Sequence, residues 1–217
     1  MQLTSTPADL TGKLSHLART VKALTAMPAK NNTGTYIEIG ANKGRSMSAI
    51  ISHILPTCSH LHAIGYDLFE MATQETHLQE ENGKGTGNLE HCRNILSFFQ
   101  STHVNLTFEL YSGLTTDTLT VQTADWVYID GGHSYETVKF DHQRLQNSRV
   151  IVFDDADLKG VNQYLWEIQH QYKLYDLVPL KGARQVAIVN DIDNYDFESA
   201  QLQPFNGQHP DSWEKTR

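Results

Sequence analysis

The sequence is poor in cysteine. Cys58 and Cys92 stand far apart and in no paired-ligand spacing, which argues against a disulfide framework or a cysteine zinc site and suits a reducing cytoplasm. Long apolar runs are also missing, so no membrane span is expected. The opening residues MQLTSTPADLTGK lack the basic start, apolar stretch and small-residue cleavage site of a signal peptide, and a cytoplasmic location is the expectation. Basic charge is scarce: 17 Lys and Arg face 25 Asp and Glu, a formal net charge of −8. Such a surface repels a phosphate backbone, so neither nucleic acid nor a membrane is an expected partner. No internal repeat is present.

What remains is a globular balance of 39% hydrophobic and 19% charged residues over 217 positions, the size of one domain with additions. Leu14, Leu17, Val21 and Leu24 recur at helical spacing and predict an N-terminal cap helix within residues 1–30, closing before Pro28. Its apolar stripe would serve a homodimer contact as well as a cap. Strands are predicted at 36–39, at 64–66, at 106–110, at 126–129 and at 150–153, with helices at 45–55, 134–145 and 161–172. The runs at 126–129 and 150–153 are continuously apolar, as in strands buried on both faces. This alternation predicts an α/β fold, a Rossmann-like, doubly wound and mostly parallel sheet with helices on both faces. Runs at 177–179 and 186–189 would complete it as an edge hairpin. The domain is placed at residues 1–190. Within it the glycine-rich segment 70–88 is either a lid or disorder, and beyond it 191–217 reads as a polar tail, loosely wrapped or disordered.

Ligands of open parallel sheets sit beyond the carboxyl ends of the strands, where strand order reverses. Glu38 and Gly40, Asp67, Asp130, and Asp154 with Asp155 all close predicted strands. Folding would gather these acids along one edge, which costs stability unless something cationic joins them. The turn GANKG, spanning Gly40, Asn42 and Gly44, lacks the middle glycine that admits a dinucleotide pyrophosphate, and Lys43 precedes its glycine, unlike in a P-loop. A nicotinamide cofactor is disfavoured. Asp67 is suited to accept hydrogen bonds from both hydroxyls of a ribose, or else serves as an ordinary turn aspartate.

From residue 36 to 189 the sequence resembles the class I S-adenosylmethionine-dependent methyltransferases. YIDGGHSYETVK (128–139) followed by VFDD (152–155) is similar to the metal-dependent small-molecule O-methyltransferases, including antibiotic-sugar enzymes and, more distantly, catechol O-methyltransferase. The resemblance implies that Glu38, Gly40, Asn42 and Gly44 line the methionine end of S-adenosylmethionine. It also implies that Asp67 holds the ribose, that Ser112 and Gly113 approach the adenine, and that Asp130 borders the cofactor. It carries a Mg²⁺ site onto Asp130, Asp154 and Asp155, and hard carboxylate oxygens suit that ion. Two acceptor hydroxyls on the metal would have one pKa lowered and one oxygen aligned for attack.

His133, three residues after Asp130, is the candidate general base beside a catalytic Asp130; it could instead ligate the metal or cap its helix. Some sugar-modifying members of that branch have an acid where Gly132 stands, and this sequence departs from them there. The expected activity is Mg²⁺-dependent O-methylation of a small diol, sugar or catechol-like acceptor. A metal-free enzyme acting on an amine or carboxylate, and a non-catalytic cofactor-binding protein, are the alternatives.

Overall fold

The computed structural model describes residues 7–79, 86–178 and 183–207. Eight strands form one sheet: β1 (Thr33–Ile39), β2 (His60–Asp67), β3 (Leu106–Ser112), β4 (Trp126–Ile129), β5 (Val150–Phe153), β6 (Leu174–Leu177), β7 (Val186–Val189) and β8 (Leu202–Pro204). Their order is β3-β2-β1-β4-β5-β7-β6-β8. The first five are mutually parallel, and β7 runs antiparallel to both β5 and β6. Strand order reverses between β1 and β4, so a crevice opens beyond their carboxyl ends.

The helices are α1 (Pro7–Thr25), α2 (Arg45–Ile54), α3 (Gln74–Gln79), α4 (Leu89–Thr102), α5 (Thr115–Thr118), α6 (Tyr135–Leu145), α7 (Lys159–Ile168) and α8 (Phe197–Ala200). No helix among the described residues is long and apolar enough to cross a membrane. Alternate side chains of the strands feed two cores. Tyr36, Trp126, Tyr128 and Val152 pack with α1, α2 and α4, whereas Ile37, Val127, Ile129 and Phe153 pack with α6 and α7. Every residue of β4 and of β5 is buried, which is why both read as unbroken apolar runs.

The carboxyl end of the α1 stripe is used inside the chain: Leu24, and Met27 just past the helix, are fully buried in the core shared with α2 and the sheet. Trp126 Nε1 donates to the Met27 carbonyl at 2.8 Å, so the end of α1 is tied to the start of β4. His16 reaches Asp154, just past the carboxyl end of β5. The helix therefore runs against the strand direction and points its amino end toward the crevice.

Two regions differ from the sequence-based expectation. Helix α4 stands directly after the glycine-rich segment, capped by the Asn88 side chain on the His91 amide. Of the 70–88 segment the described flanks form a short turn (Phe69–Met71) and α3, while residues 80–85 lie outside the described residues. Residues 191–207, expected as a loose tail, are folded: β8 pairs with β6 and extends the sheet past residue 190. Tertiary contacts hold this segment. Tyr195 is buried and donates to the Ala23 carbonyl at 2.8 Å, the Asp196 amide donates to Ala26 at 3.0 Å, and Arg149 pairs with Asp191 at 2.6 Å. Of the expected edge hairpin, the run at 186–189 is β7, but its partner β6 spans Leu174–Leu177 rather than 177–179 and is not an edge strand, since β8 lies beyond it; Pro179 lies outside the described residues.

Candidate active site

A cavity of about 550 Å³ opens at the carboxyl edge of β1, β2, β3 and β4. Its floor is the β1–α2 turn. Gly40 has φ 92°, and a Cβ there would lie 2.0 Å from the Asp130 carbonyl oxygen, so only glycine lets β1 and β4 close on each other at this level. The Gly40 amide donates to Tyr66 O at 2.8 Å and the Asp130 amide to Ile39 O at 2.8 Å, which fixes the ends of three strands in one plane.

Asp67 organises the next wall. Its Oδ2 accepts from the Asn42 amide at 2.8 Å and its Oδ1 from the Phe69 amide at 2.5 Å. The two amides fix the carboxylate in the wall of the cavity. Gly87 closes over this side chain: a Cβ there would meet Asp67 Oδ1 at 2.8 Å. Leu68, Thr115, Thr137, Phe140 and Asp141 add the remaining walls, from the β2 loop, α5 and α6. None of these five was singled out from the sequence; Phe140 and Asp141 face the cavity only because α6 packs beside the end of β4.

Beside the cavity, one ligand atom from each of Asp130, His133 and Asp155 lies within 4.8 Å of the other two. His133 is 4% exposed and its Nε2 sits 3.1 Å from Asp155 Oδ2. Three features bring the group together. Ser134 caps α6 and so places His133 one residue before the N-cap. Asp155 has φ 49°, which turns the chain sharply after β5. Gly160 then lets α7 press on the loop between β4 and α6, since a Cβ there would lie 2.2 Å from His133 O. The two carboxylates fit a divalent cation: with oxygen ligands alone the set suits Mg²⁺, and with the His133 imidazole as a third ligand it suits Mn²⁺ or Zn²⁺.

The structure thus brings Gly40, Asn42, Asp67, Gly113 and Asp130 onto one cavity, with His133 and Asp155 adjoining. It does not bring Glu38, Gly44, Ser112 or Asp154 there. Glu38 is fully buried beneath the turn, where it accepts from the Tyr36 hydroxyl and from Ser46 Oγ at 2.5 Å, so it anchors α2 rather than lining the cavity. Gly44, with φ 75°, is the N-cap of α2 and abuts Cys92, whose thiol burial pushes up to about 12 and leaves unreactive. The Ser112 hydroxyl turns to Met71 Sδ at 3.6 Å and does not line the cavity. Asp154 is 6% exposed and accepts from His16 Nε2 at 2.8 Å and the Tyr128 hydroxyl at 2.5 Å. Burial, with Asp130 and Asp154 close by, raises the Tyr128 pKa well above the ordinary value and keeps that phenol a donor.

Comparison with known proteins gives two results. A family model described as a methyltransferase domain matches residues 37–156, more than half of the chain. Among solved structures, the methyltransferase domain of bacterial CtHen1-C is similar with a TM-score of 0.52 at 9% identity, over 82% of this chain and 97% of that one. MNMC2 from Aquifex aeolicus has a TM-score of 0.50 at 12% identity, over 92% of this chain and 61% of that one. A probable spermidine synthase from Corynebacterium glutamicum has 0.50 at 12%, over 82% and 64%. This chain spans less than two thirds of the latter two, and at such identities the likeness is one of fold. No curated sequence matches.

Proposed function

Because this chain belongs to the methyltransferase-domain family, we propose that it binds S-adenosylmethionine in the cavity at the switch point and methylates a hydroxyl of a small acceptor, with a divalent cation at the adjoining cluster. The observation that carries this reading is the convergence of Asp130, His133 and Asp155 within 4.8 Å beside a cavity floored by Gly40 and Asp67. The cofactor supplies a methyl group on a sulfonium. Asp67, held in the cavity wall by the Asn42 and Phe69 amides, accepts from the ribose hydroxyls. Gly40 and Gly87 provide close backbone approach where a side chain would fill the space.

Asp130 and Asp155 hold the cation, Mg²⁺ or a softer divalent ion, which when bound lowers the pKa of an acceptor hydroxyl and orients it. His133 stands next to both carboxylates and takes the proton that the hydroxyl loses. A vicinal diol, as in a sugar or catechol-like molecule, presents the two oxygens that such a site favours.

A second reading has its own observation. The direct His133–Asp155 contact at 3.1 Å is also the geometry of an acid–base pair working without metal, which suits transfer to an amine or carboxylate. Methyl transfer to a panel of diols, sugars and amines, assayed after exhaustive chelation and after Mg²⁺ or Mn²⁺ is restored, separates the two. Diol activity that vanishes on chelation and returns with the ion supports the first; full activity in chelator rejects it.

A further inference from the structure

Asp154 and Asp155 are consecutive, yet they serve different parts of the molecule. Asp154 Oδ2 accepts from His16 Nε2 at 2.8 Å and from the Tyr128 hydroxyl at 2.5 Å. Its Oδ1 accepts from the Asp155 amide at 2.8 Å and from Gln185 Nε2 at 3.4 Å. Four donors fill the acceptor directions of one carboxylate. The Arg19 guanidinium, always a donor, reaches His16 Nδ1 at 3.0 Å, so Nδ1 accepts and Nε2 carries the proton given to Asp154. Arg19 is itself held by the Ala183 carbonyl at 2.9 Å.

The other end of this network is the backbone of Asp155. Its φ of 49° is left-handed, a conformation that costs a residue other than glycine ~1 kcal/mol or more. The bond from its amide to Asp154 Oδ1 and the bond from the Leu158 amide to its carbonyl, at 2.8 Å, hold it there. In that conformation its carboxylate meets His133 rather than Asp154.

We propose that Asp154 is a positioning residue that latches helix α1 to the β5 turn through His16 and, through the Asp155 amide, aims the Asp155 carboxylate at Asp130 and His133. Seating of the cap helix and the geometry of the cation cluster are then one event. Residues 7–15 continue α1 beyond His16 for about 13 Å at ~1.5 Å per residue, so the latch ties the amino-terminal half of the helix to the β5 turn. The cation half of this inference rests on the function proposed above; the latch itself does not.

The test pairs Mn²⁺ binding, followed by electron paramagnetic resonance, with amide hydrogen exchange of the metal-free protein. The variants are Asp154→Ala, His16→Ala, His16→Gln and Asp155→Asn, with S-adenosylhomocysteine affinity as the folding control. Asp154→Ala and His16→Ala are expected to weaken Mn²⁺ binding ~10–100-fold, as loss of an outer partner of a metal ligand does, and to speed exchange in α1 and at the Asp155 amide. His16→Gln, whose amide still donates to Asp154, restores both readouts toward wild type. Loss of Mn²⁺ in Asp154→Ala with full retention in His16→Ala would make Asp154 a ligand and overturn the proposal. Should wild type bind no Mn²⁺, the cation reading falls and exchange decides the latch: faster exchange at both places supports it, unchanged exchange rejects it. If Asp154→Ala does not fold, the contrast between His16→Ala and His16→Gln carries the same test.

Discussion

Gly40 packs against Asp130 with no room for a side chain, a Cβ on the glycine falling 2.0 Å from the Asp130 carbonyl oxygen. Gly40→Ala must move β1 away from β4 and adopt a left-handed φ. Overpacking of this kind costs about 1–3 kcal/mol, which lowers the melting temperature by roughly 3–10 °C in a domain of this size. Affinity for S-adenosylhomocysteine should drop with it. A melt within a degree of wild type would show that the two strand ends are not locked together.

His133→Ala tests the proton acceptor. Loss of a positioned base removes about 10²–10⁴-fold from turnover, while cofactor affinity should stay near wild type because His133 adjoins the cavity without lining it. Single-turnover methyl transfer and calorimetric cofactor binding measure the two separately. Equal losses in both would place His133 in cofactor binding instead.

His142, whose ring packs between α6 and α7 behind the cavity wall, sets a pH dependence of stability. Burial lowers its pKa to about 4; its Nδ1 contacts the Tyr164 hydroxyl at 2.6 Å, and Nε2 has no hydrogen-bond partner among the described residues. The folded value lies below the unfolded value of about 6.5, so the unfolded chain binds the proton more readily. Stability from the neutral ring is fully present above about pH 6.5 and is lost progressively as pH falls toward 4, by up to about 3 kcal/mol at roughly 1.4 kcal/mol per unit. Urea unfolding at pH 7 and pH 5 should show this slope in wild type and a flatter one in His142→Phe. The same slope in both would assign it to other groups.

Asp155→Asn should abolish cation-dependent activity and leave cofactor affinity within about twofold, since Asp155 touches the cation cluster and not the cavity wall. Titration of Mn²⁺ into wild type and variant, with and without S-adenosylhomocysteine, gives both quantities. Unimpaired cation dependence in the variant would remove Asp155 from the site.

Much of this architecture is written plainly in the chain. Strands β4 and β5 are legible because each is buried on both faces, and Asp67 and Asp130 follow from the rule that ligands gather at strand ends. Helix α4 carries a readable signal in Leu89, Cys92, Leu96 and Phe99, spaced three and four apart directly after the glycine-rich stretch. The β8 pairing is different. Its half-buried and exposed residues carry no alternation, and it is held by the backbone of β6 and by the docking of Tyr195 on α1. His16 is invisible for another reason, as its partner Asp154 is 138 residues away. The separation of Asp154 from Asp155 was not legible, because it is set by the left-handed turn at Asp155, φ 49°, just past the end of β5.

The most direct test is calorimetric titration of S-adenosylhomocysteine into wild type and Asp67→Ala. Wild type should bind one equivalent per chain, and the variant, deprived of the carboxylate that the Asn42 and Phe69 amides hold in the cavity, should bind at least ~10-fold more weakly. Equal affinity in the two proteins, or no binding to wild type, would contradict the assignment of this cavity to the methyl donor.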